Sequence, residues 1–263
     1  MRKKLVVGNW KMNMTRSQAT AAIESLLLLI DPNTDVEVAI CPTYLTLETV
    51  AHLLRRSHFH YGAQNVFWMP GGAFTGNVSA SMLADAGCTF CIVGHSETRG
   101  RFGKLEVPES TLSYFSETNE TVNLKLKALL YQSIHPILCV GETLAEREAE
   151  TTDAVIYEQL KGALDGIEGV EFYNGVVAYE PVWAIGTGKT CDSAEASRVC
   201  GFIRRALTEI FDADAADSVR ILYGGSVKGS NAADLFSQPD IDGGLVGGAS
   251  LDADEFSRVV RGA

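Results

Sequence analysis

Eight short runs of mostly apolar residues punctuate the chain, at 5–10, 36–41, 58–63, 89–93, 136–140, 176–179, 219–223 and 244–246. Their nearly continuous apolar character, without the strict alternation of a half-wet strand, predicts strands covered on both faces, as in a parallel sheet. Between them, apolar residues recur at helical spacing. Residues 121–131 carry Val122, Leu124, Leu126, Leu129 and Leu130, and residues 193–211 carry Ala196, Val199, Cys200, Ile203, Leu207 and Ile210. A helix starting near Thr15 is expected to bury the run 26–30 and expose Glu24. Strand and helix alternate along the chain, which defines an α/β fold. Eight repeats without a Gly-rich dinucleotide fingerprint favour a closed (β/α)8 barrel of eight parallel strands over an open doubly wound sheet. No linker, low-complexity tract or change of composition divides residues 1–263, so a single domain is expected. The one irregular stretch is 104–116, KLEVPESTLSYFS, after the fourth run.

Composition narrows the function. Apolar residues at 46% supply an ordinary globular core. A net charge of −11 argues against nucleic-acid binding, which needs a basic face. Any anionic ligand must then be drawn by local groups, not by the overall field. No apolar stretch is long enough to span a bilayer, and the apolar run after the basic start is too short for a secretory signal. Six scattered cysteines therefore read as free thiols, and a cytoplasmic location is expected. Cys88 and Cys91 have metal spacing but no matching second pair, and His58 and His60, placed on one face of a strand, lack a third ligand. Both sets read as structural, and no metal is expected.

Parallel barrels carry their active groups at the carboxyl ends of the strands. There the first run ends with Asn9 and Lys11, the fourth with His95, Ser96 and Glu97, and the sixth with Glu180. The last two end in Gly224-Gly225-Ser226 and Gly247-Gly248. Each signal is weak alone: a strand-end glutamate is usually solvated, a lysine can cover apolar surface, and glycine pairs usually mark turns. Their joint occurrence supplies a base, an imidazole, an ammonium and backbone donors for an anion. Residues 181–189, PVWAIGTGK, place apolar Trp183 and Ile185 in a connection between stiff Pro181 and permissive Gly188. A loop that closes over a ligand explains this composition; a fixed loop packed on the barrel is the plainer reading.

These blocks are similar to triosephosphate isomerases. NWKMN at 9–13, AQNV at 63–66, GAFTG at 72–76, GHSETR at 94–99, CVGE at 139–142, AYEPVWAIGTGK at 178–189, YGGSV at 223–227 and LVGGASL at 245–251 occur in family order over nearly the whole chain. The resemblance implies a cofactor-free isomerase of glycolysis and gluconeogenesis that interconverts dihydroxyacetone phosphate and D-glyceraldehyde 3-phosphate through an enediolate. It implies Glu180 as base, His95 as neutral electrophile and Lys11 as stabilising ammonium, with Asn9, Ser96 and Glu97 in support. A helix starting at Ser96 would favour the neutral ring. The phosphate would rest on N–H groups of Gly186, Ser226, Gly247 and Gly248, with a short helix start near Gly248 adding its dipole. The resemblance also implies a homodimer, with Thr75 bracing the partner's site.

Two departures qualify the likeness. Thr98 and Asn77 stand where the family usually has a basic and an acidic residue that meet across the dimer interface. The stretch 104–116 reads as an insertion, either a surface elaboration or, through Tyr114 and Phe115, an added contact at the dimer edge. An aldolase-type lyase would need a mid-barrel Schiff-base lysine, which is missing. A catalytically silent barrel serving as a binding module should have lost Glu180, His95 or Lys11.

Overall fold

The computed structural model describes residues 2–104 and 107–263. Eight strands, β1 (Leu5–Asn9), β2 (Glu37–Cys41), β3 (His60–Ala63), β4 (Phe90–Val93), β5 (His135–Val140), β6 (Val176–Tyr179), β7 (Arg220–Tyr223) and β8 (Gly243–Val246), pair in sequence order. All pairings are parallel, and β8 returns to β1 to close the barrel.

The continuous apolar runs have a direct cause. Alternate strand residues, including Leu5, Val7, Ile92, Ile137, Cys139, Val176, Ala178, Leu222 and Leu245, fill the barrel interior. Their neighbours, including Val6, Val38, Ile40, Val93, Leu138, Val177 and Ile221, face the surrounding helices. Both strand faces are dry, so no polar alternation survives.

Helix Arg16–Leu29 follows Thr15, whose backbone N–H donates to Gln18 Oε1 at 2.9 Å. It buries Ala19, Ile23 and Leu26 at helical spacing. The run 26–30 is therefore not one buried face: Leu28 is 88% exposed, because consecutive residues turn by about 100° around a helix. Helix Asn119–Tyr131 starts two residues before the predicted segment, since Thr118 caps it by accepting the Thr121 N–H. Its core face is Val122, Leu126 and Leu129, and Leu124 faces outward. Helix Ser193–Ile210 matches the prediction, with Asp192 as its cap. β3 begins at His60, so His58 lies outside the strand expected to carry both imidazoles. Among the described residues no helix is long and apolar enough to cross a membrane.

Within 104–116, Leu105 and Glu106 lie outside the described residues. The remainder contains a 3-10 turn, Glu109–Tyr114. Phe115 then folds back edge-on to Phe102, with ring centroids 5.3 Å apart.

Candidate active site

The alternation that fills the barrel also aims two polar groups into its carboxyl mouth. Leu5 and Val7 point inward, and two residues on so does Asn9; Val176 and Ala178 set the same parity for Glu180. The Glu180 N–H continues the sheet by donating to the Val140 carbonyl at 2.8 Å. The next strand end must come very close here: a Cβ on Gly141 would lie 1.7 Å from the Glu180 carbonyl oxygen, so only glycine fits.

Glu180 is 2% exposed and fully bonded. Its Oε1 lies 2.8 Å from His95 Nε2, and its Oε2 accepts the Ser96 N–H at 2.9 Å. His95 Nδ1 accepts the Glu97 N–H at 3.2 Å, which leaves Nε2 as the protonated nitrogen of a neutral ring. The tautomer is thus set by one backbone bond. No helix begins at Ser96, contrary to expectation. Residues 95–100 form successive turns, with Thr98 N–H donating to the His95 carbonyl and Arg101 N–H to that of Ser96. Burial pushes the Glu180 carboxyl upward, but His95, the Ser96 N–H and the nearby Lys11 charge outweigh it and hold it below the usual carboxylate range.

Lys11 follows two residues after β1 with a left-handed backbone, φ 51°. Two side chains hold this conformation. Asn9 Oδ1 accepts the Lys11 N–H at 3.1 Å, and Gln64 Nε2 donates to the carbonyls of Lys11 (2.8 Å) and Cys41 (3.0 Å). The ammonium reaches Glu97 Oε1 at 2.5 Å. Sequence reasoning assigned Gln64 no role, although it lies in the AQNV block. Cys139, in the CVGE block, likewise has no role in that reading beyond a free thiol. Cys139 is fully buried next to Glu180, and burial, followed by the Glu180 charge, pushes its thiol well up. Interior parity on β5 was the available signal.

Asn9, Lys11, His95, Ser96, Glu97, Glu180, Gly186, Ser226, Gly247 and Gly248 line one cavity of about 1060 Å³. Thr75 does not; it is exposed outside this cavity. The helix expected near Gly248 is a single 3-10 turn, Gly248–Leu251. Asn231 Nδ2 donates to the Ser226 carbonyl at 3.0 Å and fixes that loop. Among the described residues, five cations (Lys11, Arg101, Lys104, Lys228, Arg258) and four carboxylates (Glu97, Glu180, Asp252, Glu255) border the cavity. In a chain of net charge −11, the described lining of this mouth thus gathers a local group of cations.

The segment 181–189 arches beside this mouth. Gly186 and Gly188 take left-handed conformations, φ 69° and 79°. Ile185 lines the cavity. Trp183 instead turns inward: its Nε1 donates to Glu142 Oε1 at 2.7 Å, and the Arg147 guanidinium sits 4.3 Å over its ring. The apolar content of the loop thus serves two surfaces, and only Ile185 faces the ligand space.

A carboxylate against a neutral imidazole, with an ammonium and glycine-rich loops around one cavity, defines a (β/α)8-barrel enzyme equipped for proton transfer on a small anion. A family model described as triosephosphate isomerase matches residues 4–263. Triosephosphate isomerases of Citrifermentans bemidjiense and Pelodictyon phaeoclathratiforme are each 48% identical to this chain, covering 99% and 100% of it and 99% of their own lengths. That of Trichlorobacter lovleyi is 47% identical over 99% of both chains. The chain belongs to the triosephosphate isomerase family.

Proposed function

We propose that the chain interconverts dihydroxyacetone phosphate and D-glyceraldehyde 3-phosphate, serving glycolysis and gluconeogenesis. The observation that carries this reading is the 2.8 Å contact of Glu180 Oε1 with His95 Nε2 inside a cavity that Lys11 also lines. Substrate entering there takes the His95 N–H onto its carbonyl oxygen, and Glu180 turns to the adjacent carbon-bound hydrogen. Freed of two donors, the carboxylate becomes a stronger base as it is needed. It removes the proton, Lys11 stabilises the enediolate, and Glu180 returns the proton to the neighbouring carbon. His95 moves protons between the two oxygens. Every proton removed is restored, so the balance calls for no cofactor or metal. The phosphate rests on N–H groups of Gly186, Ser226, Gly247 and Gly248, and closure of 181–189 excludes water from the intermediate. Purified protein should interconvert the two triose phosphates without added cofactor; absence of turnover would overturn the proposal.

A homodimer accompanies this reading. Met12, Leu45 and Met82 are large, exposed apolar residues from segments after β1, β2 and β3, which are neighbours in the barrel. Thr75 in the same sector is available to a partner's site. Six buried free cysteines suit a reducing cytoplasm.

A further inference from the structure

The segment entering the stretch 104–116 presses on the lid. A Cβ built on Gly103 would lie 2.3 Å from the Val182 carbonyl oxygen, 2.4 Å from that of Ile185 and 3.0 Å from Thr187 Cγ2. Those three residues belong to the arch that ends β6. Gly103 has an ordinary backbone conformation, so what demands glycine there is the lid's proximity and not the turn. Its position is fixed from both sides. Arg101 pairs with Glu146 and donates to the Gly141 carbonyl at 3.1 Å. Phe102 is clamped edge-on by Phe115, whose own carbonyl lies 2.5 Å from where a Gly100 Cβ would be. Phe102, Gly103, Lys104, Val107 and Phe115 all border the active cavity. Phe102, Gly103 and Lys104 also line a second crevice, shared with Trp183 and Thr187 of the arch.

We infer that Gly103, held by the Phe102–Phe115 clamp, is a positioning residue for the lid: it is the shoulder on which residues 182–187 rest while Glu180 is bonded to His95 and Ser96. The described part of the stretch 104–116 thereby acts on the active site through Phe115. Phe115 packs edge-on against Phe102, while Tyr114 stays 86% exposed. The inference rests on the isomerase reading for its functional meaning, but the contact itself is independent of it.

The test compares Gly103→Ala and Phe102→Leu with the full-length parent by hydrogen exchange of residues 182–189, inorganic-phosphate binding, and kcat and KM. Gly103→Ala adds one methyl beneath the lid; Phe102→Leu loosens the shoulder without adding an atom there, and carries the test if the first variant misfolds. Both should speed lid exchange about threefold or more and weaken phosphate binding, raising KM more than they lower kcat, with exchange in 193–210 unchanged. Unchanged lid exchange in both variants, or an effect confined to dimer stability, overturns the inference. Variants that shift lid exchange as described, in a background where the parent itself lacks isomerase activity, would overturn the proposed function alone.

Discussion

Glu180 Oε1 sits 2.8 Å from His95 Nε2, so the proposed base and the proposed electrophile are bonded to one another. The pair is preorganised but not yet productive. Substrate must separate them, and the carboxylate must then reach a carbon-bound hydrogen at near-attack distance. Glu180→Asp withdraws the carboxylate by one methylene while keeping its charge. Turnover should fall about 10²-fold or more, with KM changed far less, because a displacement near 1 Å spoils the reacting geometry and not the phosphate contacts. Steady-state kinetics in both directions measure this; a drop confined to KM would contradict the assignment.

The same carboxyl makes stability depend on pH. Its folded value is depressed below the unfolded one, despite burial, by His95, the Ser96 N–H and Lys11. A depressed carboxylate contributes stability that is present above the unfolded pKa, about 4.3, and is lost as pH falls through the folded one. The stability gap between the parent and Glu180→Gln should therefore be steady above about pH 5 and narrow below about pH 4. Urea midpoints for both proteins across that range are the measurement, and parallel curves would refute it.

The dimer prediction turns on where charge has gone. Thr98 Oγ1 donates to Glu117 Oε2 at 2.6 Å, and Lys125 pairs with the other oxygen while also donating to Asn65 Oδ1 at 2.8 Å. Glu117 and Lys125 are nearly buried and neutralise each other within one subunit. In the proposed dimer, neutral Thr98 and Asn77 would bring no lone charge to desolvate. Dimerisation should accordingly change little with ionic strength, whereas Thr75→Arg, which would bury an unpaired cation in the proposed dimer, should shift sedimentation toward monomer and lower kcat together.

Much of this arrangement is readable from sequence because most strand residues are buried on both faces, the first residues of β2, β3, β5 and β7 being the half-exposed ones. The eight apolar runs fall within two residues of the eight strands, and strand parity carries Asn9 and Glu180 into the mouth. What escaped reading depends on distance in space. Gln64 gains its role only where β3 comes beside Lys11, Cys139 only where β5 lies next to Glu180, and Gly103 only where the lid lands. Ser96 looked like a helix cap because serine followed by polar residues is compatible with either a cap or a turn; the backbone takes the turn.

The lid's inner anchor supplies the last prediction. Glu142 is completely buried, and its Oε1 accepts from Trp183 Nε1 at 2.7 Å and Tyr179 OH at 3.2 Å, while Oε2 has no donor among the described residues. Burial pushes this carboxyl up against the lowering effect of Trp183, its own backbone N–H, Tyr179 and Arg147. Ionisation of a group with a raised folded pKa costs stability that is intact below the unfolded value and lost as pH rises through the folded one. Glu142→Gln keeps an acceptor for both donors and removes the charge, so its stability relative to the parent should improve as pH rises from about 4 to about 7. Trp183→Phe does the opposite: it removes the shorter bond and leaves the carboxylate still buried, costing about 1–3 kcal/mol at neutral pH. In the double variant that penalty should shrink, because a neutral amide loses less than a carboxylate when its donor goes. Urea denaturation of the four proteins completes the cycle, and additive penalties would show that Glu142 and Trp183 do not act as a pair.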